Sequence, residues 1–399
     1  MQLLRRWCFS LAALLSTTPV LAQTSSFQFL EKAGPYPVGL KVVNQYDHSR
    51  AFPSTKEGAR PLQTLIWYPA VRSEGKPMTV GDYAKLADTE VHFDDLHPEQ
   101  NKWRSQLKAS FDVRLGAVRD AKAVGGRYPV LVYAPSDSSI SWENADLCEY
   151  LASHGYVVLS SPSMGVSTRD MTDDLDGINA QARDISFLIT YAKTLRDTDL
   201  SKVAVVSWSW GGISSLFAAA RDPRISTLAE LDGSMRYFPG LVQKAGDVHP
   251  ERMNIPLLFF TSEYPNFLED FEKYSEGPPE DKTGPNVLNA WIHGDLFTVN
   301  MIGMAHGEFS SMFQRRKSAK SFVEDQIADY GRDDANTSHA WVARYTLNFL
   351  DANLKHDAAA LAFLKKAPAE NGVPKHFMAT SFRAARAAPS SKGGAATTP

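Results

Sequence analysis

The chain contains 399 residues, with 42 Lys and Arg against 45 Asp and Glu, so its formal net charge is −3. This balance excludes a protein that binds nucleic acid through a basic surface, because such binding needs clustered positive charge. A composition of 43% hydrophobic and 22% charged residues is that of a globular protein and excludes a largely disordered chain. Only two cysteines are present, Cys8 and Cys148, and Cys8 lies in the N-terminal leader, so no internal disulfide is expected.

The first 22 residues have the parts of an export signal. Arg5 and Arg6 supply positive charge, a short apolar stretch follows, and the sequence up to Ala22 offers small residues for cleavage. The apolar stretch is too short to span about 30 Å of hydrocarbon, so a membrane anchor is not expected. These features predict a signal peptide over 1–22, no transmembrane segment in the mature protein, and a periplasmic or secreted location.

The apolar pattern after the leader changes period along the chain. Residues 38–48 and 62–70 have the composition and partial alternation of half-buried strands. Continuous apolar runs follow at 129–136, 156–162, 202–209, 225–232, 256–262 and 296–302. One helical pattern ends near His154, before Gly155. Further helical patterns cover 178–197, 210–221, 338–354 and 357–366. Apolar runs separated by helices predict strands buried on both faces, hence an α/β fold with a mostly parallel central sheet and helices on both faces.

One catalytic domain is predicted over 23–387, with N-terminal strands at about 34–70 and a core at about 129–355. Residues 71–128 have no clear pattern and are interpreted either as an insertion over the sheet edge or as part of an active-site rim. Residues 388–399 are small and polar and cannot bury a core, so they predict a disordered tail.

The most informative motif is SWSWGG at 207–212, which lies between an apolar strand and an apolar-faced helix. This context is typical of a nucleophile elbow, G-x-S-x-G, in which a sharp turn holds a serine hydroxyl above the sheet. Ser207 replaces the first glycine of that pattern, and Gly211 and Gly212 leave room for the helix to approach. The motif predicts Ser209 as the nucleophile.

A serine hydroxyl needs an imidazole to accept its proton and a carboxylate to orient that imidazole. In this fold the order along the chain is serine, acid, histidine. His306 follows the last predicted strand in a glycine-flanked loop and is the predicted base. Asp232 and Glu263 each end a strand after the nucleophile, and chain order alone slightly favours Glu263.

The chain resembles the plasma-type platelet-activating-factor acetylhydrolases, which are serine esterases of the α/β-hydrolase superfamily. The resemblance extends over roughly residues 34–310 and is carried by GPYPVG (34–39), YDHS (46–49), LASHGY (151–156), SWSWGG (207–212), LDGSMRYFPG (231–240), IPLLFFTSEYPN (255–266) and GMAHGEF (303–309). It implies an exported bacterial-type member with an α/β-hydrolase fold and no metal or other cofactor. The family's catalytic residues fall on Ser209, Asp232 and His306, whereas Glu263 matches a glutamate outside the triad. The resemblance therefore ranks Asp232 first as the acid and keeps Glu263 as the alternative.

One departure from the family lies after the first central strand, in APSDSS (134–139). Pro135 and Ser136 replace the His-Gly pair that opens the oxyanion loop, so the predicted oxyanion donors are the backbone amides of Asp137 and Trp210. Apolar side chains that border the predicted triad are interpreted as substrate contacts or core, and they are Trp208, Met235, Phe238 and Phe309. Acidic clusters at 91–97 and 172–177 are interpreted as solvated loop charge, since neither follows a known ligand spacing.

The sequence thus predicts an exported serine carboxylic-ester hydrolase that acts through an acyl-enzyme. The resemblance implies a short-acyl phospholipid ester as substrate. Two alternatives remain at this point: an esterase for polymer or carbohydrate acyl groups, and a catalytically silent hydrolase fold that binds a ligand. The predicted partner is a small-molecule ester, with no nucleic acid, and the oligomeric state does not follow from the sequence.

Overall fold

The computed structural model describes residues 26–94, 102–262, 279–316, 321–325, 327 and 329–386. The predicted signal peptide over 1–22 and the predicted tail over 388–399 lie outside these residues, and both stay predictions, as do the domain bounds. Within the described ranges, no helix is both long enough and apolar enough to cross a bilayer.

The strands of the described residues form one eleven-stranded sheet. They are β1 (Val38–Ala51), β2 (Ala59–Pro69), β3 (Pro77–Thr79), β4 (Arg114–Arg119), β5 (Tyr128–Ala134), β6 (Val157–Ser160), β7 (Thr198–Trp208), β8 (Ile225–Leu231), β9 (Leu257–Ser262), β10 (Leu296–Met301) and β11 (Met378–Arg383). Their order across the sheet is β11-β10-β9-β8-β7-β5-β6-β2-β1-β4-β3. The neighbours from β10 to β6 pair in parallel, whereas β11 and β2 pair antiparallel on either side of them. The prediction of a mostly parallel sheet is confirmed.

The α-helices of the described ranges lie between the strands and after β10. They are α1 (Val80–Ala84), α2 (Lys102–Gln106), α3 (Ala145–Ser153), α4 (Leu175–Ala192), α5 (Trp210–Arg221), α6 (Pro239–Ala245), α7 (Pro279–Lys282), α8 (Val287–Ala290), α9 (Ser311–Arg316), α10 (Arg332–Leu354) and α11 (Ala358–Lys365).

Two hydrophobic cores cover the two faces of the sheet, and β7 contributes to both. Ala204 and Val206 pack in the core that includes α3 and α10. Val203 and Val205 point the other way, into the core that includes α4 and α5. Successive residues of a strand point to opposite faces, so a strand buried on both faces must be apolar throughout. This is why the central strands are continuous apolar runs in the sequence. The helices lie on both faces of the sheet, as predicted.

The described residues between 71 and 128 extend the sheet at its N-terminal edge. β4 pairs in parallel with β1, and β3 pairs antiparallel with β4. Of the two interpretations of this region, the structure therefore shows additional strands at the sheet edge, accompanied by the short helices α1 and α2.

The parallel arrangement brings the candidate catalytic residues to one edge of the sheet. Ser209 directly follows β7, Asp232 directly follows β8, and His306 follows β10 by a short loop. Parallel strands end at the same edge, and loops there form the usual ligand site of open α/β sheets. The connectivity alone therefore places the three residues together.

Candidate active site

Ser209 occupies the single-residue turn between β7 and α5. Its backbone has φ 55° and ψ −125°, a conformation that non-glycine residues rarely adopt. The surroundings hold it there, because the Ser209 carbonyl accepts hydrogen bonds from the amides of Gly212 (2.9 Å) and Ser234 (2.8 Å). Backbone strain of this kind is typical of functional sites, where the surrounding structure holds a residue in an unfavourable conformation. The turn matches the nucleophile elbow predicted from SWSWGG.

The two glycines after Ser209 are required by close backbone contacts. A Cβ atom at Gly211 would lie 2.3 Å from the carbonyl oxygen of Ala134. A Cβ atom at Gly212 would lie 2.6 Å from the Cα atom of Gly233. Helix α5 can therefore approach the ends of β5 and β8 only because neither position has a side chain.

His306 lies between Ser209 and Asp232, with one ring nitrogen directed to each. Its Nε2 atom is 2.9 Å from Ser209 Oγ, and its Nδ1 atom is 2.7 Å from Asp232 Oδ2. With Nδ1–H donating to the carboxylate, Nε2 is free to accept the proton of the serine hydroxyl. The indole of Trp208 packs beside the imidazole, with ring centroids 5.2 Å apart. The arrangement is that of a base poised to deprotonate Ser209.

Asp232 is fully buried and receives three hydrogen bonds. Besides His306, the hydroxyl of Tyr237 donates to Oδ1 and the hydroxyl of Ser262 donates to Oδ2, each at 2.7 Å. Burial by itself raises the pKa of Asp232, but the hydrogen bonds and the His306 charge outweigh it, so the pKa lies below its usual value. The carboxylate is therefore ionised at neutral pH despite having no contact with solvent.

The alternative acid, Glu263, lies outside the described residues. The structure brings Asp232, the residue ranked first, to the histidine. Sequence reasoning did not identify Tyr237 and Ser262 as partners of the acid. Ser262 ends β9 at the catalytic edge, and this position is the only signal that could have pointed to it.

The loop after β5 is fixed by hydrogen bonds at each of its first two residues. The carbonyl of Pro135 accepts from Gln181 Nε2 at 2.7 Å. The amide of Ser136 donates to Glu143 at 3.0 Å and is therefore engaged within the protein. Asp137 follows with an exposed side chain, and Trp210 is the first residue of α5. Oxyanion binding by the Asp137 and Trp210 amides stays a prediction.

Glu143 is a buried carboxyl beneath this loop that sequence reasoning missed. It accepts hydrogen bonds from both the amide and the hydroxyl of Ser136 and from Tyr133 at 3.1 Å. Its own backbone carbonyl accepts from Ser310 Oγ at 2.8 Å, close after the histidine loop. Burial raises the pKa of Glu143 to about 7 in spite of these hydrogen bonds. The residue thus links the loop after β5 to the loop that carries His306.

The four predicted substrate contacts lie in the hydrophobic cores next to the site. Met235 and Phe309 are fully buried, Trp208 is 2% exposed and Phe238 is 8% exposed. Trp210 packs edge-on against Phe238, with ring centroids 5.0 Å apart. The structure therefore places these side chains in the core around the triad, and their contact with a substrate stays a prediction.

The acidic clusters are accounted for in part. Asp174 caps helix α4 by accepting from the amides of Asp176 and Gly177, each at 3.0 Å. The end of the 91–97 cluster lies outside the described residues. Among the residues described, no group of three or more His, Cys, Asp or Glu side chains is placed to hold a metal ion.

Comparison with known proteins supports the fold. No family model matches the chain, and no curated protein matches it. Among solved structures, the chain is similar to a ferulic acid esterase from Streptomyces cinnamoneus, with a TM-score of 0.60 and 18% sequence identity. The match covers 90% of this chain and 99% of that one. The chain has an α/β-hydrolase fold. At this identity the likeness establishes the fold alone, so the chemistry must be argued from the site.

Proposed function

We propose that the protein is a serine carboxylic-ester hydrolase that works through an acyl-enzyme. The observation that carries the proposal is the hydrogen-bonded series from Ser209 to His306 (2.9 Å) to Asp232 (2.7 Å), with the serine on a strained turn. Nucleophile, base and orienting acid together make up a catalytic triad for acyl transfer. The name of the structural neighbour, an esterase, agrees with this chemistry.

The proposed reaction begins when Ser209 Oγ attacks the ester carbonyl carbon and its proton passes to Nε2 of His306. The carbonyl oxygen becomes an oxyanion, which the amides of Asp137 and Trp210 stabilise in our proposal. The protonated imidazole then gives its proton to the leaving alcohol, and the acyl group stays on Ser209. Water, deprotonated by the same imidazole, releases the acid and restores the hydroxyl.

Asp232 has two tasks in this reaction. It keeps the proton on Nδ1, so that Nε2 is available to the serine, and it stabilises the imidazolium that forms. Both tasks require a carboxylate that is ionised at neutral pH, and the lowered pKa of Asp232 provides it.

The central test is Ser209→Ala. We expect a loss on the order of 10⁶ in kcat for short nitrophenyl esters, because the nucleophile is removed while the fold is kept. Covalent labelling by a fluorophosphonate probe, located by mass spectrometry, should reach Ser209 in the wild type and be absent from the variant. An unlabelled wild-type protein without esterase activity would instead favour a catalytically silent fold.

Two substrate classes follow from different observations. A short-acyl phospholipid ester is supported by the sequence resemblance, through SWSWGG and GMAHGEF. Acyl groups on a polymer or carbohydrate are supported by the structural neighbour, a ferulic acid esterase. Relative kcat/KM values for an acetyl-phospholipid, a feruloyl ester and an acylated sugar separate the two classes.

We also propose that the protein is exported to the periplasm or secreted, on the strength of the signal-peptide pattern over 1–22. Expression of the full chain in a bacterium should then yield an exported product whose first residue is Gln23. Recovery of the protein only from the cytoplasm, with Met1 retained, would exclude this proposal.

A further inference from the structure

Glu230 is a fully buried carboxyl in β8 that the proposed reaction does not use. In the sheet it lies between Ser207 of β7 and Phe259 of β9. Its carboxyl contacts Ser207 Oγ and, from helix α5, Ser215 Oγ. Both serines belong to the segment around the nucleophile, since Ser207 lies two residues before Ser209 and Ser215 lies in the helix that follows it.

The same carboxyl fills the space between the nucleophile turn and the acid turn. A Cβ atom at Gly212 would lie 2.5 Å from Glu230 Oε2, and one at Gly233 would lie 2.7 Å from it. Gly212 belongs to the start of α5, whereas Gly233 directly follows Asp232. Ser209 and Asp232 are therefore attached to two turns that both pack on one side chain.

The hydrogen bonds around Glu230 fit its uncharged form. Ser215 Oγ contacts Glu230 Oε1 and also lies 2.8 Å from the carbonyl of Gly212, but a hydroxyl has only one proton. A protonated carboxyl satisfies both contacts, because it donates to Ser215 while Ser215 donates to Gly212 and Ser207 donates to the other carboxyl oxygen. Each polar group then has a partner, as buried polar groups require.

We propose that uncharged Glu230 is a positioning residue, which holds the turn carrying Ser209 against the turn carrying Asp232. The inference rests on the proposed function, because it concerns how the same site is aligned. It also explains the departure from G-x-S-x-G, since Ser207 supplies a hydroxyl that glycine lacks.

The acidity of Glu230 agrees with this role. Burial raises its pKa to about 8, although its hydrogen bonds with Ser207 and Ser215 lower it. The groups that face it from β7, β9, α5 and the two turns are uncharged, and they are Ser207, Phe259, Ser215, Gly212 and Gly233. Ionisation above about pH 8 places an unpaired negative charge between the two turns and breaks the donation to Ser215.

The test compares Glu230→Gln with Glu230→Leu. Glutamine has a donor and an acceptor like the protonated acid, so we expect kcat at pH 7 within about 3-fold of the wild type and no decline above pH 8. Leucine keeps the volume but has no polar atoms, and we expect kcat to fall by about 10- to 100-fold with KM little changed, as for a misplaced catalytic group.

Glu149→Leu is the matched control. Glu149 is also buried, accepts hydrogen bonds from Tyr83 and from the amides of Gly116 and Ala117, and has a pKa raised by burial to about 7. It lies in α3, away from the two turns. Its replacement should lower stability yet leave kcat within about 3-fold of the wild type, which separates positioning from general destabilisation.

A second measurement does not depend on activity. Amide hydrogen exchange over 207–216 and 231–236 should become faster in Glu230→Leu, but not in Glu230→Gln or Glu149→Leu. Unchanged exchange in both segments, or equal losses of kcat in the Gln and Leu variants, would overturn the positioning role. If the wild type hydrolyses no ester and takes no fluorophosphonate, the proposed function fails, and exchange alone decides whether Glu230 joins the turns.

Discussion

The charge of Asp232 is stabilised by hydrogen bonds and by the charge of His306, because the carboxylate has no solvent contact. His306, Tyr237 and Ser262 all donate to it at 2.7 Å. Hydrogen bonds to a charged group are worth more than those between neutral groups, and here they overcome the cost of burial. The acid that orients the base is thus itself held by Tyr237, which follows β8, and by Ser262 at the end of β9.

Asp232→Asn tests this orientation directly. The asparagine amide can donate to Nδ1 of His306, which holds the imidazole in the tautomer with its proton on Nε2. In that tautomer Nε2 cannot accept the proton of Ser209. We expect kcat to fall by roughly 10⁴ with the fold retained. Ser262→Ala serves as a comparison, since it removes one donor and leaves His306 and Tyr237 in place, and a loss of about 10-fold or less is expected. Equal losses in the two variants would contradict an orienting role specific to Asp232.

Among single residues, the sequence identifies the candidate catalytic residues that lie in a recognisable local pattern. Ser209 lies in a motif at a strand-to-helix junction, and His306 follows an apolar run. For the acid, chain order alone slightly favoured Glu263, and the family resemblance ranked Asp232 first. Glu230 and Glu143 have no such signature, because their importance comes from contacts across strands. An acid inside the apolar segment ISTLAELD was the one available indication that Glu230 is unusual.

The nucleophile elbow is the element whose geometry tolerates least change. Gly211→Ala would place a methyl group 2.3 Å from the Ala134 carbonyl and 2.6 Å from that of Pro135, both of them backbone atoms. The end of β5 and the start of α5 would have to separate. We expect the free energy of unfolding to fall by about 1–3 kcal/mol, measured by urea denaturation, with esterase activity reduced more than 10-fold.

Gly125→Ala is the control for the glycine substitution. A Cβ atom there meets its nearest atom, of Asp197, at 4.0 Å, so the methyl group fits without any shift. Stability and activity should both stay close to those of the wild type. If Gly125→Ala is as damaging as Gly211→Ala, the close approach of α5 to β5 is not the cause.

The predicted helices and strands agree with the structure where an apolar pattern defines the element. They miss elements or ends that depend on strand pairing or on a helix cap. Helix α5 has the predicted bounds, because an apolar face and a fixed turn define both ends. β11 was not predicted: MATSFR is mostly exposed and becomes a strand by pairing antiparallel with β10. Helix α10 begins at Arg332, before the predicted Ser338, because Asp334 caps the amide of Gly331 at 2.9 Å. Neither the pairing of β11 nor the cap of α10 produces a periodic pattern of apolar residues in the sequence.

Across the whole molecule, buried carboxyls lie beneath the loops that carry the site. Glu230 supports the nucleophile turn, Glu143 supports the loop after β5, and Glu308 accepts from the amide of Ala305, next to His306. Burial raises the pKa of Glu230 to about 8 and those of Glu143 and Glu308 to about 7. The site is therefore aligned by acids that are largely or partly protonated near neutral pH.

These acids determine how stability should depend on pH. A carboxyl whose pKa is higher in the native than in the unfolded state binds more protons when folded, so stability falls as pH rises between the two values. For Glu143, Glu230 and Glu308 that interval extends from about 4.5 to about 7 or 8. His339 acts in the opposite sense, since burial lowers its pKa to about 4 and stability rises with pH between 4 and its usual 6.5. Above about pH 4.5 the three falling contributions outweigh the single rising one, so the maximum of stability lies near that pH.

We therefore expect the free energy of unfolding, measured by urea denaturation, to be greatest at about pH 4.5 to 5 and to decline towards about pH 8. Each raised carboxyl contributes a slope of at most about 1.4 kcal/mol per pH unit, so replacing one should flatten the decline measurably. Glu230→Gln should lose less stability than the wild type between about pH 5 and 8, because glutamine cannot ionise. Stability that is constant or rises from about pH 5 to 8 would mean that these carboxyls are charged in the native state. The hydrogen-bonding scheme around Ser215 would then have to be reversed, with Ser215 donating to Glu230.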